Sequence, residues 1–314
     1  MGAIPHWTAL EEVTTRPAVI TIGGFDGVHL GHQALLRTLN EAARHYRLPS
    51  LVISFHPLPR AFFRGDERNF YLTLPEEKVE LLAAHGAQAA LLLPFNAELA
   101  RMRAATFIQR LYEHLRFPCL CVGFNFALGY QREGTIPVLR AWGERLGFEV
   151  RVVEPVRLPD LGVVSASRIR QALYEGRARD AARMLGRPYR IQGQVTRGDG
   201  RGRALGFPTA NLVWDERKVL PKRGVYAAWA WVRGQRHPAV LNIGYRPTFD
   251  TTPRPHFEVH LLDFSGDLYG QTLAVDFVER LRDERAFPSV EALRAQLVQD
   301  VARAREVLGV GQPS

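Results

Sequence analysis

The stretch Ala18-Val-Ile-Thr-Ile-Gly-Gly-Phe-Asp-Gly-Val-His-Leu-Gly-His32 decides how the first half of the chain is read. A short, strand-forming apolar run meets two glycines, and a helical pattern begins where the histidines stand. Strand, glycine turn and helix in that order form the repeating unit of a parallel sheet. Gly23, Gly24 and Gly27 permit a tight turn and let a ligand approach the backbone closely. His29 and His32 are three apart at the start of the helix, so both imidazoles face one way. The free N–H groups and positive end of that helix attract an anion to the same place. Together these features suit stabilisation of a nucleotide's phosphates as negative charge builds up in a displacement. The plainer alternative is a glycine turn with two surface histidines.

Outward from this unit the alternation continues. Strands are expected at Ala18–Ile22, Ser50–Phe55, Gln88–Leu93, Cys119–Val122 and Phe148–Val153, with helical segments between them. One helix runs from Pro75 to His85, with Thr73 and Glu76 as a capping box and Gly86 just past its end. The pattern predicts an α/β, doubly wound parallel-sheet domain. After the fifth strand, Val164-Ser-Ala-Ser-Arg-Ile-Arg170 offers two hydroxyls and two arginines near a helix start. Such a set holds a polyphosphate by charge-assisted hydrogen bonds; a serine cap on a basic surface helix is the bland alternative. Past Gly186 the helices cease. Strands at Tyr189–Val195, Gly224–Val232, Ala239–Ile243, Phe257–Leu262 and Leu273–Val278 follow one another, which predicts a small antiparallel barrel. A final amphipathic helix starts at the N-cap Ser289, with Val290, Leu293, Leu297, Val301 and Leu308 as its packing stripe. The expected division is therefore 1–186 and 187–314.

Composition narrows the partners. The 314 residues carry Lys+Arg 41 against Asp+Glu 32, a net charge of +9, which suits anionic ligands. The basic residues are scattered rather than blocked, which speaks against a nucleic-acid tail. The only two cysteines, Cys119 and Cys121, alternate along one strand, so both thiols lie on one face and read as reduced core residues. No leader pattern and no apolar run of spanning length is seen, so the expectation is a cytoplasmic protein without membrane contact.

The second half holds a further phosphate-seeking run. Glycines at 198, 200, 202 and 206 can wrap phosphates with backbone N–H groups, and Thr209 and Asn211 offer the oxygen ligands that Mg²⁺ accepts. Glu258 alternates with Phe257, Val259 and Leu261, so it points away from the face those three bury.

The H-x-G-H element with the downstream S-x-S-R-I-R resembles the nucleotidylyltransferases. The longer string Thr21 to Gln33, Val122 to Gly129, Leu185 to Tyr189 and Gly198 to Asn211 are similar to bacterial bifunctional riboflavin kinase/FAD synthetases. So are Gly224-Val-Tyr226, Asn242 to Phe249 and Glu258 to Phe264. The resemblance implies an FMN adenylyltransferase domain followed by a riboflavin kinase domain, with riboflavin, FMN and ATP as substrates and FAD and ADP among the products. It implies that His29 and His32 act in adenylyl transfer, that Gly23, Gly24, Phe25, Asp26, Gly27, Ser165, Ser167 and Arg168 help hold ATP there, and that Asn125 and Phe126 face the flavin. In the kinase half it implies Gly200, Gly202, Gly206, Thr209 and Asn211 at ATP, with Thr209 and Asn211 on Mg²⁺. Glu258 becomes the base for the riboflavin hydroxyl, and Arg246 a flavin contact. The chain departs from the family pattern at Leu58, where a histidine is usual, with His56 two residues earlier, and at Ala166 and Ser167, which replace Ser and Thr. Two other readings stand beside this one: a riboflavin kinase whose first domain only binds nucleotide, suggested by Leu58, and a basic RNA-binding protein.

Overall fold

The computed structural model describes residues 4–197, 202, 205–246 and 254–311, and the side chains of all of these except 245, 246 and 254. Two compact units divide at Ala166/Ser167.

In the first unit, six strands form one parallel sheet: β1 (His6–Trp7), β2 (Val19–Ile22), β3 (Ser50–His56), β4 (Ala89–Pro94), β5 (Cys119–Gly123) and β6 (Glu149–Val153). Their spatial order is β1-β4-β3-β2-β5-β6. From β2 the chain winds first toward β3 and β4, then returns to lay β5 and β6 on the other side. Side chains alternate across the sheet. Ile20, Ile22, Leu51, Ile53, Leu120 and Val122 pack on one face against Phe107, Ile108 and Leu111 of α3 (Ala104–Leu115) and Leu139 of α4 (Ile136–Leu146). Val19, Val52, Ala90, Cys119 and Cys121 pack on the other against α1 (Leu30–Tyr46) and α2 (Pro75–Ala84). The doubly wound expectation holds, and the two thiols share a face with their sulfurs 3.9 Å apart. The capping box does not hold as expected. Glu77, not Glu76, accepts the Leu74 N–H at 2.9 Å, because the helix starts at Pro75 and places Glu77 third in line. Thr73 is instead drawn inward, its Oγ1 accepting the N–H of Gly27 at 3.0 Å.

The second unit opens with α5 (Ala166–Tyr174) and α6 (Ala178–Leu185). By contacts these helices join the barrel, earlier than the change of pattern at Gly186. Ala181, Met184 and Leu185 are buried, and Arg179 forms an ion pair with Glu279 of the barrel wall. The barrel is closed and antiparallel, in the order β7 (Tyr189–Thr196), β8 (Ala210–Trp214), β11 (Arg254–Leu261), β10 (Gln235–Arg246), β9 (Gly224–Val232), β12 (Thr272–Arg282). Closure removes the sheet edges. Strand β8 is not among the strands expected from the sequence; its alternation of buried Ala210 and Leu212 with Asn211 is too short to stand out. Phe277 fills the barrel centre, with ring centroids 5.3 Å from Tyr226, 5.8 Å from Phe257 and 6.1 Å from Tyr189.

The last helix, α7 (Val290–Leu308), is capped as expected, with Ser289 Oγ accepting the Ala292 N–H at 3.2 Å. Val301 and Leu308 pack on the barrel beside Val225 and Val240. Val290 does not join that stripe; at 59% exposure it stands clear in the first turn. Asp300, only 3% exposed, ties α7 to β12 by accepting from Arg282 Nε at 2.9 Å and Nη2 at 2.7 Å. Removing one partner of a buried ion pair strands the other charge. Asp300→Ala is therefore expected to cost about 3 kcal/mol, read as a lower unfolding transition of the second unit in calorimetry.

Candidate active sites

The first cleft lies at the carboxyl ends of β2 and β5, the adjacent strands at which the winding reverses, where parallel sheets place ligands. It holds about 460 Å³ and is lined by Gly23, Gly24, Phe25, His29, His32, Asn125, Phe126 and Ser165, among others. The turn between β2 and α1 is tight enough to put two non-glycine residues at positive φ, Phe25 at 47° and Val28 at 40°. A β-branched residue adopts that conformation only where its surroundings enforce it. The enforcing group is Asp26, 3% exposed. Its Oδ1 accepts the N–H groups of Leu72 at 3.0 Å and Thr73 at 3.1 Å.

His29 is the N-cap of α1, its Nδ1 accepting the His32 N–H at 3.4 Å. In the neutral ring the proton then sits on Nε2. The two imidazoles stack with centroids 3.7 Å apart and planes 17° from parallel, so the i, i+3 spacing does bring them together. A Cβ at Gly31 would lie 3.1 Å from His29 Cε1, so glycine between the histidines leaves the ring its room. Desolvation, reinforced by the nearby His29 and Lys78 charges, holds the His32 imidazole well below the ordinary histidine range.

A second cavity of about 990 Å³ adjoins the first and shares Ile22, Phe55, Pro59, Phe126, Ala127 and Arg132 with it. Its character is aromatic: Phe95 meets Phe55, Phe62 and Phe63 edge-on at 5.8, 5.4 and 5.9 Å.

In the second unit a cleft of about 660 Å³ opens between the barrel wall and α7. Glu258 on β11 stands in register between Asn211 of β8 and Asn242 of β10, and all three line the cleft beside Thr209. Phe257, Val259 and Leu261 are buried on the opposite face of β11, as their alternation required. The loop before β8 is pinned by His260, whose Nδ1–H donates to the carbonyl of Pro208 at 2.8 Å. Gly202 packs so closely that a Cβ there would lie 2.4 Å from the carbonyl oxygen of Phe207. A further cavity of about 450 Å³, lined by Arg197, Val259, Leu261 and Tyr269, shares Thr209 with the cleft.

A model of the FAD synthetase family matches residues 11–167, and one of riboflavin kinase matches residues 185–308. The bifunctional riboflavin kinase/FMN adenylyltransferase of Pseudomonas fluorescens is 42% identical over 291 residues, covering 92% of this chain and 93% of that protein. That of Escherichia coli strain K12 is 39% identical over 308 residues, covering 97% of each. The chain belongs to this bifunctional family. A crystal structure described as a macrolide-efflux protein from Streptococcus pneumoniae superposes with a TM-score of 0.89 at 32% identity, covering 96% of this chain and 99% of that one. Among the described residues no helix is long and apolar enough to cross a membrane.

Within the FAD synthetase module, the cleft gathers Gly23, Gly24, Phe25, His29, His32, Ser165, Asn125 and Phe126 from the expected set. Asp26 and Gly27 are not among its lining residues; both face inward, bonded to the Leu72–Thr73 segment. Ser167 and Arg168 follow the lining residue Ala166 and belong to the second unit. Leu58, the departure from the family pattern, is buried with Ala61, Phe70 and Tyr71, and its Cδ2 lies 3.4 Å from where a Cβ on Gly24 would stand. It backs the turn rather than lining the cleft. In the riboflavin kinase module, Gly202, Thr209, Asn211 and Glu258 come together, whereas Gly206 is not among the lining residues. Gly200 and the side chain of Arg246 lie outside the described residues. Sequence reading missed the phenylalanine groove and Asn242. The first is assembled from distant segments; the second carries no signal of its own within the stretch Asn242 to Phe249.

The burial of His32 gives a direct test. On acidification the ring is expected to stay neutral through about pH 6.5, where an ordinary histidine titrates. Polyphosphate in the cleft should raise its pKa by favouring the charged form. An NMR titration of labelled histidines checks both; an ordinary pKa for His32 in the free protein would refute the first.

Proposed function

We propose that the chain makes FAD from riboflavin in two steps, adenylyl transfer in the β2/β5 cleft and phosphorylation in the barrel cleft. The observation that carries the first assignment is the six-residue wall shared by the glycine–histidine cleft and the phenylalanine groove. A nucleotide suits one and a flat tricyclic flavin the other, with the reacting phosphates meeting at the wall. An oxygen of the FMN phosphate attacks the α-phosphorus of ATP, the new O–P bond forms, and pyrophosphate leaves with the broken α–β bond. His29, with its proton on Nε2, and His32 face the charge that develops, while Ser165 and the turn residues Gly23 and Gly24 line the nucleotide's side.

In the kinase cleft, Thr209 borders both cavities, one carrying Arg197 and Tyr269 and the other Glu258 and the apolar side of α7. ATP in the first and riboflavin in the second bring the γ-phosphate and the ribityl hydroxyl together beside Thr209. Glu258 takes the hydroxyl proton as the oxygen attacks, and ADP leaves. Thr209 and Asn211 present hydroxyl and amide oxygens, hard donors that fit Mg²⁺ alongside phosphate. Bound there, the ion would offset charge on the transferring group.

The assignments separate by variant. His32→Ala is expected to lower FAD formation by roughly 10²-fold and to leave FMN formation intact; unchanged FAD synthesis in the His29/His32 double alanine variant would sink the role. Glu258→Gln keeps the shape but removes the base, so turnover should fall by about 10²-fold with ATP affinity little altered. Asn211→Ala should instead weaken nucleotide binding. ATP calorimetry beside kinase assays distinguishes the two, and normal turnover in Glu258→Gln would make Glu258 an ordinary strand carboxylate.

A further inference from the structure

Lys78 is a buried cation that the adenylyl-transfer scheme leaves unused. It lies in the second turn of α2, 2% exposed. Its Nζ donates to Ser54 Oγ at 3.2 Å. Ser54, wholly buried on β3, donates in turn to the carbonyl oxygen of Gly24 at 3.1 Å. Gly24 lines the nucleotide cleft. Burying an ammonium costs several kcal/mol even after relaxation, and an apolar side chain would fill the same space without that penalty.

The segment leading into the same helix holds the other end of the turn. Leu72 and Thr73 donate both N–H groups to Asp26, and Thr73 Oγ1 accepts the N–H of Gly27. The helix and the segment before it thus grip the loop at Gly24 and at Gly27, on either side of the strained Phe25. Burial pushes the Lys78 ammonium down to about 8, opposed by the charge of Asp26.

We propose that Lys78 is a positioning residue of the adenylyl-transfer site, acting through Ser54 to fix the Gly24 carbonyl and with it the backbone that meets the nucleotide. The proposal rests on the placement of adenylyl transfer in this cleft. A fixed Gly24 carbonyl sets the plane of the peptide that follows it, and so the direction in which the next N–H points. Because misplacement of a cleft by about 1 Å can cost about 10²-fold, the relay acts on turnover more than on nucleotide affinity.

The test uses the full chain, with FMN formation by the second unit as an internal control. Lys78→Met and Ser54→Ala are each expected to lower kcat for FAD formation by tenfold or more, by the same geometric argument, with KM for ATP changed far less. The double variant should lose no more than the worse single one. Lys78→Gln, which can donate to Ser54 without a charge, should recover most of the loss. Losses that multiply in the double variant, or a Lys78→Gln as impaired as Lys78→Met, would overturn the relay. Should Lys78→Met not fold, Ser54→Ala carries the test alone, and unaltered kcat there also overturns it. His32→Ala run alongside keeps the two ideas apart: full activity in that variant faults the site, whereas a dead His32→Ala beside an active Ser54→Ala faults only Lys78.

Discussion

A buried carboxylate sets the first site. Asp26 is only 3% exposed, and its carboxylate is met by the N–H groups of Leu72 and Thr73. Those bonds join the turn after β2 to the segment leading into α2, two pieces of chain that no local preference would bring together. With the turn so held, Phe25 and Val28 accept positive φ, α1 starts at its His29 cap, and the two imidazoles stack over the cleft. Hydrogen bonds to a charged acceptor are worth about 1.5–3 kcal/mol each, enough to outweigh the strain of an unfavourable backbone region. A residue of the signature motif thus shapes the cleft without lining it.

The second site obeys a different constraint, the two-residue period of a strand in a closed barrel. Inward positions must fill the interior, and Phe277 with its neighbouring rings does so. Outward positions are released for other work. Where α7 covers the wall, those positions become a cleft, and Glu258 is flanked by Asn211 and Asn242 because antiparallel register puts them side by side. The ion pair between Arg282 and Asp300 then holds the covering helix to the wall that carries the polar residues.

Both clefts couple a polar, phosphate-suited compartment to a more apolar one across shared residues. In the first unit the join is a wall of six residues including Phe55 and Phe126; in the second it is the single residue Thr209. The substrates have the same division, since a flavin is a flat apolar ring system on a polar tail and ATP is a base on a polyphosphate. On the placement proposed above, each reaction occurs where the two tails meet.

The sequence by itself determined the elements and the features that depend on local period. The five principal sheet strands, the barrel strands other than β8, the Ser289 cap, the facing imidazoles and the outward Glu258 all follow from 3.6- or two-residue repeats and from glycine or serine at their ends. Covalent geometry fixes those repeats, so neighbours in sequence suffice to read them. Tertiary structure alone decided which polar groups turn inward. Asp26 turns away from the cleft and Thr73 from the expected cap because each finds a partner more than forty residues away. Leu58 and Lys78 look like surface or motif positions until helix and sheet close over them. The aromatic groove needs Phe62, Phe95 and Phe126 from three separate segments. Burial depends on what packs against a residue, and that partner is chosen by the whole fold.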